Sequence, residues 1–274
     1  MHTPEPAVLC LHGLTSSPYE FGPLLSALRA RGYRVEAPHL VGHGTRPEAL
    51  AHTRFPDWLA GARRGFEALA EEHARIFLVG LSMGALCAIA LAHERGARVA
   101  GLVAMATPLT LNLTDQWALQ VAEHLPLAAI KPWILKKSGP DVSDAAVAAA
   151  MPSYDRIPLA SAASMVAGQR HAHDVLTRLS CPVLLMHGRH DHVAPVRNLD
   201  LAWDRLRTPH RARVTYPRSW HILPLDVEHE AVVADVLAFV ADPVGYCHRG
   251  GPMADRCAPV APTPPAPLVP EAPR

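Results

Sequence analysis

The tightest constraint on this chain is the stretch Gly80-Leu81-Ser82-Met83-Gly84, because of what flanks it. Ahead of it runs a short apolar segment, Ile76-Phe77-Leu78-Val79, which reads as a strand. Behind it the small-residue run Ala85-Leu86-Cys87-Ala88-Ile89-Ala90-Leu91-Ala92 reads as a buried helix. A serine on the sharp turn between strand and helix is forced outward, and glycine is needed at the flanking positions where side chains would collide. The five-residue pattern alone occurs by chance in many chains. The strand–turn–helix context is what marks Ser82 as a candidate nucleophile.

The rest of the chain supplies a frame for such a turn. Ala7-Val8-Leu9-Cys10-Leu11 reads as a buried strand running into His12-Gly13-Leu14. Residues 18–30 carry Phe21, Leu24, Leu25 and Leu28 at helical spacing, and Gly32 suits the end of that helix. Arg34-Val35-Glu36-Ala37-Pro38 predicts a strand stopped by proline. Residues 55–73 predict a helix with Trp58, Leu59, Ala62, Phe66 and Leu69 on one stripe, and 99–105 a further strand. This alternation predicts an α/β fold, a parallel sheet covered on both faces. The rhythm breaks after Thr107-Pro108. Residues 108–179 show only helical or irregular patterns, rich in Leu and Ala with Trp117 and Trp133, and read as a helical cap over the site. Strands return at Cys181-Pro182-Val183-Leu184-Leu185-Met186 and at 212–216, with helices at 196–206 and 227–240. The expected organisation is a core from 1–107 and 180–242, a cap at 108–179, and a tail at 243–274. That tail is so rich in proline that helix and ladder bonds lack donors, so it is expected to be disordered or extended.

Composition narrows the function classes. The 274 residues suffice for one sizeable core, and the 49% hydrophobic residues fall in short runs far from the roughly 20 needed to span a bilayer. No stable membrane insertion is expected, and with no basic-then-apolar leader ahead of the first strand the expectation is a cytoplasmic protein. A net charge of +1 gives no electrostatic case for nucleic acid. The basic cluster Arg205, Arg207, Arg211, Arg213 and Arg218 reads as a solvated edge. Of five cysteines, Cys10, Cys87 and Cys181 sit in apolar runs as small hydrophobes, while Cys247 and Cys257 lie in the tail and could pair on oxidation.

A serine hydroxyl needs a base, and a histidine base needs a carboxylate to hold it. Candidates stand at strand ends after Ser82. His187-Gly188-Arg189-His190-Asp191-His192-Val193-Ala194-Pro195 follows the strand ending at Met186, and Tyr216-Pro217-Arg218-Ser219-Trp220-His221 follows the last strand. Asp191 is the candidate acid and His221 the candidate base, 30 residues apart, about one helix plus one strand. Asp174, Asp200 and Asp226 compete less well, since none directly follows a predicted strand. The histidines around Asp191 lack the helix-spaced pairing of a zinc site, so no metal is expected.

With these motifs in place, the chain resembles the capped bacterial carboxylesterases and monoacylglycerol lipases of the α/β-hydrolase superfamily, over roughly residues 8–240. The resemblance rests on Leu9-Cys10-Leu11-His12-Gly13-Leu14-Thr15-Ser16-Ser17, on Pro38-His39-Leu40-Val41-Gly42-His43-Gly44, on the Ser82 turn and on the loops of Asp191 and His221. It implies the α/β-hydrolase fold, a mostly parallel sheet flanked by helices with a helical cap insertion. It also implies that the backbone N–H groups of Leu14 and Met83 bind an oxyanion, each such donor being worth on the order of 3 kcal/mol in the transition state. His12 is expected to shape the oxyanion loop, and His43 to fix a loop near the site. The implied activity is hydrolysis of small carboxylic esters with an apolar acyl chain, with no cofactor. A thioesterase or carbon–carbon hydrolase on the same scaffold, or a non-catalytic ligand-binding relative, remain as alternatives.

Overall fold

The computed structural model describes residues 6–249 apart from Pro126, Lys137 and Ser138. In chain order the first part comprises β1 (Ala7–Leu11), α1 (Gly22–Ala30), β2 (Val35–Glu36), α2 (Pro47–Ala51), α3 (Phe55–Ala70), β3 (Ile76–Leu81), α4 (Met83–Arg95) and β4 (Val99–Met105). The insertion follows with α5 (Leu113–His124), α6 (Leu127–Ile130), β5 (Trp133–Leu135), α7 (Ala145–Ala150), β6 (Arg156–Pro158) and α8 (Leu159–Val175). The chain then returns to the core through β7 (Val183–Gly188), α9 (Arg197–Arg205), β8 (Arg211–Tyr216), α10 (His229–Ala241) and α11 (Pro243–His248).

Six strands form one sheet in the order β2-β1-β3-β4-β7-β8, with every pairing parallel. The continuous apolar runs of β1, β3, β4 and β7 are explained by burial on both faces, every residue of each being buried. Alternate residues divide between two cores. Leu9, Leu11, Leu78, Leu102 and Leu185 pack with α3, α4 and α8, whereas Val8, Cys10, Val79, Val103 and Met186 pack with α1 and α10. At the edge, β8 buries only Ala212, Val214 and Tyr216. Its arginines and their neighbours are committed locally: Arg211 and Arg213 lie over the Trp203 ring and Arg213 pairs with Asp200. Because all six strands run the same way, the loops after β1, β3, β7 and β8 leave from one edge of the sheet.

The structure departs from the sequence expectations in three places. The insertion contains a small antiparallel pair, β5 with β6, where only helical or irregular chain was expected. Its last helix, α8, lies in the span read as cap but packs into the core. Met165, Ala172 and Val175 join the main core against α4. The expected tail also begins too early. Residues 243–248 form α11, with Asp242 capping through a bond from the Gly245 N–H and proline near the first turn. Cys247 is a free thiol on that helix, and Cys257 and the proline-rich stretch lie outside the described residues. Among the described residues, no helix is long and apolar enough to cross a membrane.

What seats α11 is Tyr246, buried to 1% exposure, whose hydroxyl donates to the buried Asp235 at 3.0 Å beside the Tyr216 hydroxyl at 2.7 Å. Tyr246→Ala is therefore expected to lower unfolding free energy by about 3 kcal/mol, by analogy with large aromatic truncations. Tyr246→Phe, which keeps the ring and loses one hydrogen bond, is expected to cost about 1 kcal/mol. Urea unfolding of the two variants measures both, and equal effects would contradict this account of the helix.

Candidate active site

At the end of β3 the chain turns into α4 through a strained residue. Ser82 has φ 56° and ψ −121°, a conformation L-residues rarely adopt, and its N–H donates to the Met105 carbonyl at 3.0 Å. The glycines on either side serve close approach. A Cβ on Gly84 would lie 1.8 Å from the Leu11 carbonyl oxygen, and one on Gly80 would lie 2.4 Å from the Gly84 oxygen. The first turn of α4 is thus pressed against the end of β1, and the turn that follows β1 reaches Ser82. Ser82 is 7% exposed, and its hydroxyl has no hydrogen-bond partner among the described residues.

The turn after β1 is fixed from several sides. His12 Nε2 accepts the Leu40 N–H at 3.0 Å, so the ring proton is on Nδ1, which faces the Gly13 carbonyl at 2.9 Å. Burial, with the neighbouring His43 and His39, pulls the His12 pKa down to about 3. Its lone pair is spent on Leu40, so it holds the loop and is not available as a base. His43 packs edge-on to His12 and Trp58, and burial brings it down to about 4. The Gly13 N–H goes to the Glu20 carboxylate at 2.8 Å, while among the described residues the N–H groups of Leu14 and Met83 have no acceptor. Met83 is the first residue of α4, where backbone donors are left unpaired by the helix itself.

Asp191 and His221 are brought together directly. His221 Nδ1 lies 2.7 Å from Asp191 Oδ2. The same oxygen is 3.1 Å from His187 Nε2, which also faces the Ala194 carbonyl at 2.9 Å. Both of those partners only accept, so His187 Nε2 carries a proton. The other carboxylate oxygen of Asp191 accepts the N–H groups of Val193 and Ala194 at 2.9 and 2.7 Å. Burial alone would raise the Asp191 pKa, but the His221 charge and the bonds from His187 and His221 reverse this and hold it below the ordinary carboxylate range. For His221, burial opposes protonation, and the charges of Asp191, Asp141 and Glu20 with the Asp191 bond outweigh it, so its pKa is raised. The Nδ1 proton is directed at Asp191, which leaves Nε2 of the neutral ring as a base.

Two buried carboxylates fix the His221 loop, a role the sequence expectations gave to neither. Asp226, read there only as a rival acid, accepts the Trp220 N–H at 2.6 Å and the Val227 N–H at 2.8 Å. It also takes the N–H and hydroxyl of Ser143 from the insertion. Glu228 accepts the Arg218 N–H and the Ser219 hydroxyl at 2.9 and 2.8 Å. Their only trace in the sequence is their place, five and seven residues after His221.

The insertion reaches the loops after β1, β2, β7 and β8. Tyr154 donates its N–H to the Thr15 carbonyl and its hydroxyl to the Gly42 carbonyl. Asp141 accepts both the N–H and Nδ1 of His192, and its carbonyl accepts the Ile222 N–H. His187 and His192 therefore serve different partners, and no group of three His, Cys, Asp or Glu among the described residues is arranged to hold a metal. Enclosed this way, His221 is 7% exposed. A serine under backbone strain, two unpaired N–H groups beside it and a carboxylate-held imidazole are the parts needed for acyl transfer.

Comparison with known proteins agrees with this architecture. A family model described as Hydrolase_4, serine aminopeptidase S33, matches residues 2–228. A thermostable monoacylglycerol lipase of Bacillus sp. (strain H-257) is 29% identical over 238 residues, 87% of this chain and 91% of the relative. A carboxylesterase of Bacillus subtilis (strain 168) is 27% identical over 243 residues, 86% of this chain and 92% of the relative. The structure of a metagenome-derived lipolytic enzyme aligns with a TM-score of 0.79 at 28% identity, covering 86% of this chain and 94% of the other. With its parallel sheet, its serine turn and a match over most of its length, the chain belongs to the α/β-hydrolases, in the Hydrolase_4 family.

Proposed function

We propose that the chain is a serine carboxylic ester hydrolase of the carboxylesterase or monoacylglycerol lipase type. The observation that carries this reading is the bond between His221 Nδ1 and the buried Asp191, on the same sheet edge as a strained, unengaged Ser82. Ser82 Oγ attacks the ester carbonyl while His221 Nε2 takes its proton. The carbonyl oxygen gathers negative charge facing the N–H groups of Leu14 and Met83. The tetrahedral intermediate collapses by breaking the bond to the alcohol, which leaves with the proton from His221, and Ser82 remains acylated. Water then gives a proton to His221, its oxygen attacks the acyl carbonyl, and Ser82 regains its proton as the acid departs. Asp191 keeps the ring oriented and balances its charge during both steps. The named activities of the two Bacillus relatives support esters with an apolar acyl chain as substrates.

A chain-length series of p-nitrophenyl esters and monoacylglycerols on the purified protein tests the substrate class. kcat/KM on acyl-CoA thioesters equal to that on the esters would move the assignment to a thioesterase. Ser82→Ala is expected to lower kcat by roughly a million-fold and to abolish labelling by a fluorophosphonate, and retention of a tenth of the activity would contradict the nucleophile.

The pH profile follows from the His221 pair. Because that pKa is raised, the cationic and inactive form persists to higher pH than in a free imidazole. kcat/KM is expected to rise through a midpoint above about 6.5, the ordinary histidine value. Asp191→Asn is expected to shift that midpoint down and to cut kcat by about 10⁴-fold. A flat profile from pH 5 to 8 in the wild type, with chemistry rate-limiting, would count against His221 as the base.

A further inference from the structure

Glu20 is a carboxylate with no evident reason to be buried. It sits in the turn Pro18–Phe21 between Tyr19 and Phe21 and is 4% exposed. Its Oε2 accepts the Gly13 N–H at 2.8 Å, one residue before Leu14. A Cβ built on Gly13 would stand 3.2 Å from Glu20 Oε1 and 3.5 Å from the Ser82 Cβ. The carboxylate therefore lies directly behind the turn, with Gly13 between it and the nucleophile. Across the same turn the insertion supplies a cation. Lys136 Nζ donates to the Thr15 hydroxyl and to the Ser153 hydroxyl, the latter at 2.8 Å. Thr15, the residue after Leu14, has φ 66°, a conformation that needs holding.

Given the ester-hydrolase reading of Ser82, on which it rests, we propose that Glu20 is a positioning residue for the oxyanion turn, acting as a unit with Lys136 of the cap. Glu20 anchors the Gly13 N–H from below, and Lys136 anchors Thr15 from above. Leu14, between the two anchors, is held with its N–H free. The charges that face Glu20 are those of Lys136 and His221. The β1 strand brings only the Cys10 thiol, α1 only Arg29 in its last turn, and the turn Leu223–Leu225 no ionisable group. Burial raises the Glu20 pKa, while the Gly13 bond, Ser16, His221 and Lys136 oppose that rise. Burial in turn brings Lys136 down to about 8, against the pull of Glu20 and Asp155. The pair links cap docking to the geometry of the transition-state site, and the Glu20 charge adds to the electrostatic support of the His221 cation.

The test uses Glu20→Gln, which keeps shape and an acceptor oxygen but removes the charge. Losing an oxyanion donor outright costs about 10²–10³-fold in kcat, so a loosened turn is expected to cost about ten- to a hundredfold, with KM within about twofold. The acid limb of kcat/KM is expected to move to lower pH, because His221 loses a neighbouring negative charge. Lys136→Met is expected to lower kcat as well, and the double variant to be no worse than the poorer single one. Thermal unfolding within a few degrees of wild type shows that each variant is folded, and if Glu20→Gln is not, Glu20→Asp takes its place with the same expectations for kcat and KM. A folded Glu20→Gln with wild-type kcat, or with an acid limb that stays in place, overturns the role of Glu20. Multiplicative effects in the double variant overturn the unit. Wild-type protein that neither hydrolyses esters nor labels at Ser82 would instead remove the esterase reading itself, so the two failures are separable.

Discussion

The approach of α4 to the end of β1 is the contact on which the rest depends. With no side chain at Gly84, the helix start can rest on the Leu11 carbonyl, and that single distance joins two parts of the chain that are 73 residues apart. It brings the Leu14 turn beside Ser82 and leaves two backbone donors, one from each side, without partners. Backbone donors at such a point are set by the fold and not by side-chain rotamers, so they need no reorganisation when charge develops. The strain at Ser82, of order 1–3 kcal/mol for a residue in a sparsely populated conformation, is sustained because the surrounding strands are buried on both faces.

Around that contact the molecule places four buried carboxylates, Glu20, Asp191, Asp226 and Glu228, and each holds a backbone segment. Bonds from N–H to carboxylate are charge-assisted and directional, which suits loops that must keep one shape without a ladder to define them. Burying a carboxylate is costly unless its oxygens are satisfied, and each of these accepts at least one backbone N–H. Only Asp191 also bonds to two imidazoles, and they hold its pKa below the ordinary carboxylate range. On the proposed reading the chemistry falls to Asp191, while Asp226 and Glu228 serve as fixings.

How much of this was readable in the sequence follows from how local each signal is. The Ser82 turn was legible because strand, glycines and helix are contiguous, and Asp191 and His221 because each directly follows a strand. The sheet was legible because strands buried on both faces leave continuous apolar runs. β5 and β6 were not, since three-residue strands are too short to show a period of two. Helix α11 carried a start signal in Asp242-Pro243, overshadowed by the proline content that follows. Glu20 was hidden because an acid within a helical pattern reads as a solvated position, and what buries it is a backbone N–H seven residues away. Lys136 meets Thr15 across 121 residues, and no pattern in a single sequence records such a pair.

The insertion meets the core through polar bonds and apolar packing alike. Lys136, Asp141, Ser143, Ser153 and Tyr154 bond to the loops after β1, β2, β7 and β8. Val142 and Met151 from the same span are buried in the core that also holds α1 and α10, with Val147 and Ala148 packed against it. Helix α8 is fastened by Met165, Ala172 and Val175 in the opposite core, against α4. A polar attachment that water can replace costs about 0.5–1.5 kcal/mol to release, whereas withdrawing a buried aliphatic side chain costs more. The insertion is therefore seated on both faces of the sheet by its aliphatic residues, and its polar bonds add direction, setting where Lys136 meets the turn after β1.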